Sequence, residues 1–161
     1  MKKSKLIMMN VAISFVLIFG FVTVVGAQSF GTDVSKQLSD VRKATVKYHD
    51  INVAIEEGYE PSYHVVPGMG IHLTNPELLN DGGILNPLEP EVLVYEPKKN
   101  GGYKLVAVEY MTVGGERPTL FGQEFDIGPF PNHFSLHAWI WHANPDGLFK
   151  PTNPNVAKTD E

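Results

Sequence analysis

Apolar residues recur three or four apart through Val34, Leu38, Val41, Thr45, Tyr48, Ile51 and Ile55. That spacing puts them on one stripe of a helix, with Lys36, Asp40, Arg42, Lys43 and Lys47 on the other faces. It predicts an amphipathic helix over 35–57, with Thr32 or Asp33 as N-cap and Gly58, backed by Pro61, as the stop. Beyond Gly58 the pattern changes to short alternating runs. Three of them predict strands, at 92–96, 103–113 and 134–141, and the first two are joined by a Lys98-Lys99-Asn100-Gly101-Gly102 turn. Shorter strands are expected near 63–66 and 119–125. The expectation is an α+β domain, one N-terminal amphipathic helix packed on an antiparallel sheet or a partly open barrel.

The run from Phe134 to Trp141 is the most telling. One face holds Phe134, Leu136, Ala138 and Ile140, an ordinary core face. The other holds His133, Ser135, His137, Trp139 and Trp141, a set suited neither to a dry core nor to open water, and so a candidate pocket lining. On a helix, His133 and His137 would chelate one ion. On a strand they stand ~13 Å apart, so only the central His137 is taken as a ligand. His133 falls at the rim, and His142 points to the opposite face.

All twelve prolines and twelve of the fifteen glycines lie from Gly58 onward, which fits a turn-rich sheet. The first 27 residues read differently. Lys2, Lys3 and Lys5 precede an apolar run from Leu6 to Val25, and Val25-Gly26-Ala27 supplies a cleavage pattern, so an export signal over 1–27 is expected. An uncleaved anchor is the alternative, since the apolar run approaches the ~20 residues needed to span a bilayer. Residues 28–34 read as a leader, 35–151 as one domain and 152–161 as a loose tail. Removing the signal takes three of 13 basic residues and none of 18 acidic ones, leaving 134 residues with a formal charge of −8. That balance argues against nucleic acid, or a membrane beyond the signal itself, as partner. There is no cysteine, so a secreted or extracytoplasmic domain of this kind is held by packing rather than disulfides.

Glu109 is the clearest anomaly, because both faces of the strand around it are otherwise apolar. A carboxylate buried there needs a partner or a shifted pKa. A metal, a histidine, or a buried ion pair with Arg42 or Arg117, the only arginines, would answer that need. His72 follows the glycine-flanked Pro67-Gly68-Met69-Gly70-Ile71 segment, read as a loop. Together His72, Glu109 and His137 make a two-histidine, one-carboxylate donor set with open positions, suited to Zn, Fe or Mn as divalent ions. His64 and Glu96 are additional candidates, and Met69, Trp139 and Trp141 candidate pocket walls. Glu91 and Glu96 otherwise read as solvated strand-end charges. Phosphate-loop, metalloprotease-helix, nucleophile-elbow and cysteine-nucleophile motifs are absent from the sequence.

Several of these segments occur together in a recognisable order. Gly68-Met69-Gly70-Ile71-His72, Pro90 to Pro97 (PEVLVYEP), Val108-Glu109-Tyr110, Leu136 to Trp141 (LHAWIW) and Asn144 to Phe149 (NPDGLF) run through nearly the whole chain after residue 27. In this the chain resembles an uncharacterised family of small exported bacterial proteins. The resemblance implies export and a single domain, and attaches no reaction. It also implies a cysteine before the Gly-Met-Gly segment and another at the C-terminus, both of which this chain lacks. Two functions are therefore carried forward. One is a domain binding a divalent metal at His72, Glu109 and His137, as an enzyme or as a simple metal-binding protein. The other is a metal-free extracellular module whose Trp/His face holds a small ligand.

Overall fold

The computed structural model describes residues 30–99 and 101–156. The expected signal at 1–27 lies outside these residues. Helix α1 (Thr32–Thr45) runs into a 3-10 turn (Val46–His49), and α2 (Ile51–Glu56) follows. A six-stranded antiparallel sheet is built from β1 (Glu60–Val66), β2 (Gly70–Thr74), β3 (Val92–Pro97), β4 (Tyr103–Val113), β7 (Asp126–Ile127) and β8 (His133–Ala138), in the order β1-β2-β3-β4-β8-β7. A small hairpin of β5 (Thr119–Leu120) and β6 (Gln123–Glu124) stands apart, and a one-turn helix α3 (Pro76–Leu79) follows β2. The sheet is open, with β1 and β7 at its edges, so the barrel alternative finds no closing pair among the described residues.

The single long helix expected over 35–57 is divided. Asp50 takes an extended conformation (φ −91°, ψ 109°), and its carboxylate accepts the amide of Asn52, capping a new helix. This local bond competes with continuation of the first helix. The break rotates the second helix, so Ala54 is buried and Ile55, expected in the stripe, is 46% exposed. At the other end neither Thr32 nor Asp33 caps α1; Gly31 holds the N-cap position without a side-chain bond. The stop is as expected. Gly58 (φ 91°) donates to Ile55 O and Tyr59 to Ala54 O, the paired bonds of a Schellman ending.

Leu38, Val41, Tyr48 and Ala54 share one buried cluster with Ile71, Leu73, Leu93, Tyr95, Leu105, Val108, Tyr110, Leu136 and Ala138. Polar bonds join the same two layers. Tyr95 Oη donates to Tyr48 O at 2.6 Å, and Arg42 Nε to Ile140 O at 3.0 Å. The opposite sheet face has its own small cluster of Val94, Val106, Ala107, Trp139 and Val156, with Leu148 against it. A β-bulge between Val94 and Tyr95 inserts Val106 into β4, which puts Leu105 and Ala107 on different faces although they are two residues apart.

Two segments differ from expectation in ways that matter to the site. His72 lies on β2, in register with Val94, rather than in a loop. The turn is confined to residues 67–69, so that Gly70 (φ 97°) opens the strand hard against the Tyr95 carbonyl. The tail is also packed as far as residue 156. Asn153 is buried, donating its amide to Gly68 O at 2.7 Å and its side chain to the carbonyls of His142 and Ala143, while Val156 enters the second cluster. Nor are residues 30–34 a leader, since Phe30 packs edge-on against Phe149 at 5.3 Å and Thr32 begins α1.

Gly70→Ala combines a left-handed backbone with a methyl group driven into Tyr95 O, whereas at Gly82 (φ 92°) a methyl meets open space. Gly82→Ala should therefore cost about 1 kcal/mol and Gly70→Ala about 2–4 kcal/mol, measured from urea midpoints at constant slope. Equal losses would show that the β2–β3 approach is not the constraint.

Candidate metal centre

Glu109 and His137 are direct cross-strand partners on β4 and β8. Their side chains share the face turned away from the helices, because the neighbours Val108, Tyr110, Leu136 and Ala138 all enter the helix-side cluster. His72 belongs to β2, two strands from Glu109. It reaches the site over β3, where Val92 and Val94 are short enough to pass beneath it. Its Nε2 lies 3.4 Å from Glu109 Oε2, and His137 Nδ1 lies 3.6 Å from Glu109 Oε1. The imidazoles meet edge to face with centroids 5.9 Å apart. One donor atom from each of the three residues falls within 4.8 Å of the others. Two ligands bound ~2.0–2.2 Å from one tetrahedral zinc stand roughly 3.3–3.6 Å apart, so the 3.4 Å between His72 Nε2 and Glu109 Oε2 suits one shared ion.

The site is dry. The side chains of His137 and Glu109 are 3% and 4% exposed, and only His72, at 17%, meets solvent. Burial pushes the Glu109 carboxyl up, opposed by the nearby His72, by a hydrogen bond from Ser135 and by His133. It pushes His137 down to about 4, against the pull of Asp126, and His72 down against the pull of Glu109. All three groups are driven towards their neutral forms. Even so, Glu109 Oε2 and His137 Nε2 have no hydrogen-bond partner among the described residues. Buried polar atoms without partners are uncommon and costly, and here two of them sit in one cluster of metal-binding side chains.

The ion-pair explanation for Glu109 fails on geometry. Arg42 donates to Ile140 O, while Arg117 donates to Phe125 O and pairs with Glu124 at 3.1 Å. Trp139, a candidate pocket wall, lies against His137. The two rings are nearly parallel (centroids 5.6 Å, 14°), and Trp139 Nε1 donates to Lys150 O at 2.6 Å. Trp141, also a candidate wall, lies elsewhere. The strand ends at Ala138, the chain bends as Ile140 N donates to Ala138 O, and Trp141 swings to the helix side to bond Thr45 Oγ1 and meet His49.

The additional candidates also separate from the site. His64 is exposed on the edge strand β1, and Glu96 lies 3.7 Å from Lys104 and 3.6 Å from His142 in a second polar group. Met69 is half-buried in the β1–β2 turn. Glu91, expected to be solvated, is 1% exposed. Its Oε2 accepts the Met111 amide at 3.0 Å, and burial raises its pKa to about 7. Ser135, on the candidate pocket face but not among the expected ligands, acts on Glu109. Its signal in the sequence is its alternation with His137 on the unusual face of β8. No protein-family model matches the chain, and neither the curated proteins nor the solved structures contain a match.

The metal-free protein carries a pH signature of this burial. Glu109 has its folded pKa raised above the ordinary value of 4.5, so its ionisation weakens the fold as pH rises past that value. Glu109→Gln, which cannot ionise, should make the metal-free protein more stable than the parent at pH 7, with the advantage vanishing below about pH 4.5. His137 acts oppositely. Its depressed pKa means the unfolded chain binds the extra proton, so stability tied to neutral His137 is lost as pH falls from 6.5 to about 4. Over that interval His137→Gln should remove a loss on the order of 3 kcal/mol. Urea unfolding of the chelator-treated proteins across pH 4–8 measures both, and a Glu109→Gln variant weaker than the parent at pH 7 would contradict the assignment.

Proposed function

We propose that this chain is an exported α+β domain that binds one divalent transition metal ion through His72, Glu109 and His137. The observation that carries this reading is the convergence of one ligand atom each from His72, Glu109 and His137 within 4.8 Å, around a buried Glu109 Oε2 that has no hydrogen-bond partner among the described residues. A bound dication satisfies that oxygen and reverses the electrostatics of the site. It favours ionised Glu109 and needs the histidines neutral, the state burial already gives them. Two imidazoles and one carboxylate suit Zn, Fe(II) or Mn(II) rather than an ion that requires thiolates or an all-oxygen cage. Export rests on the sequence of residues 1–27, together with the resemblance to small exported bacterial proteins.

The competing module, a metal-free pocket on the Trp/His face, has less support. Trp139 is packed between His137 and the C-terminal segment, and Trp141 lies on the other side of the sheet. Two surface cavities, of about 280 and 240 Å³, are lined by residues around Gly68/Asn153 and around Gly83/Thr112, away from the triad.

A metal held only by the folded state stabilises it by about 2.7 kcal/mol at a hundredfold excess over Kd. At roughly 4 °C per kcal/mol for a domain of this size, chelation should lower Tm by about 10 °C. His137→Ala and Glu109→Gln should lose that response, while His64→Ala should keep it. Thermal melts with and without Zn, Fe(II) or Mn(II) make the comparison. A parent protein whose Tm ignores all three ions would leave the metal-free module as the better account.

A further inference from the structure

Building on the metal reading of the same site, we infer that one coordination position is left to a small exchangeable monoanion, which enters beside His72. Closed structural zinc sites use four protein ligands, whereas sites that act on small molecules keep three and leave a position free. Among the described residues, the convergent group contains three.

Among the described residues no further His, Asp or Glu joins the convergent group. Val92, Val94 and Ala107 line the same face and carry no ligand atom. Trp139 Nε1 is a donor only and is already bonded to Lys150 O. Of the remaining histidines, His64 is exposed on the sheet edge, His49 lies against Trp141 on the helix side, and His142 sits 2.7 Å from Lys104. His133 is four residues along the strand from His137, its ring set against Gly128.

Charge and access define what fills the position. A dication with one carboxylate and two neutral imidazoles keeps a net charge of +1, which is costly to bury in apolar surroundings. A monoanion in the free position cancels it. Asp126, an acid that acts on His137, is not in the convergent group. Access is narrow, because His72 alone of the three ligands reaches solvent, while the stacked Trp139 and the chain packed over it close the far side. The occupant is therefore an anion of a few atoms, held end-on.

Cobalt(II) reports its own coordination in its visible spectrum and tests this directly. Purified protein is stripped of metal, loaded with cobalt(II), and titrated with azide, a slim monoanion, with benzoate, a bulky one, and with pyridine, a neutral donor. Azide should shift the d–d bands saturably, while benzoate and pyridine leave them unchanged. A cobalt protein whose spectrum ignores azide would overturn the open position. One that answers benzoate or pyridine as readily as azide would overturn the small-monoanion class. Failure to take up cobalt at all would instead remove the metal reading beneath it.

Discussion

A carboxylate buried between two histidines, with no lysine or arginine paired to it among the described residues, is the constraint on which the rest of the structure turns. Desolvation alone drives Glu109 towards its protonated form and both histidines towards their neutral forms. Neutrality lowers the cost of burial without satisfying Glu109 Oε2 or His137 Nε2. On the proposed reading, one dication would satisfy the Glu109 oxygen and favour its ionised form. The second sheet face follows from this logic, since the low dielectric that makes the metal-free site costly also strengthens each metal–ligand attraction. Trp139, Leu148 and Val156 keep the sheet dry on that side.

The scaffold places its three polar side chains with strands rather than loops. Glu109 and His137 are fixed by one cross-strand pairing, and His72 by the β2–β3 register that puts it opposite Val94. A one-residue slip in either ladder would turn a ligand into the helix-side core. The ends of the frame are secured by hydrogen bonds in a chain without cysteine. Asn153 ties the C-terminal segment to Gly68 in the β1–β2 turn, and Glu91 supplies an acceptor for the Met111 amide near the β3–β4 pairing. Glu91 shows that a second buried acid can have a structural occupation, one carboxylate oxygen on one amide, with no convergent histidine.

Much of this was legible in the chain because it depends on local periodicity. The two-residue alternation of Phe134 to Ala138 separates core from site face, and the same alternation around Glu109 marks the misplaced carboxylate. Other features depend on distant partners and left no local trace. His72 looked like a loop residue because Gly68 and Gly70 suggest a turn, yet Gly70 is needed to let β2 approach the Tyr95 carbonyl. The division of the helix at Asp50 hides behind an unbroken apolar stripe, since a side-chain cap outweighs the weak preference of the next turn. Trp141 lies off the site face because the strand ends at Ala138, before the alternation does. The burial of Asn153 and Val156 required knowledge of what the tail lies against.

Metal content with X-ray absorption at the metal edge tests the central claim most directly, because it counts the ion and identifies its ligands together. The protein is prepared without an affinity tag or chelator and loaded with zinc. One ion per chain is predicted, with nitrogen and oxygen neighbours at ~2.0–2.2 Å and the scattering signature of two imidazoles, reduced to one in His137→Ala. Zinc bound below about one-tenth of an equivalent, or bound fully with an imidazole count unchanged in His137→Ala, would contradict the account.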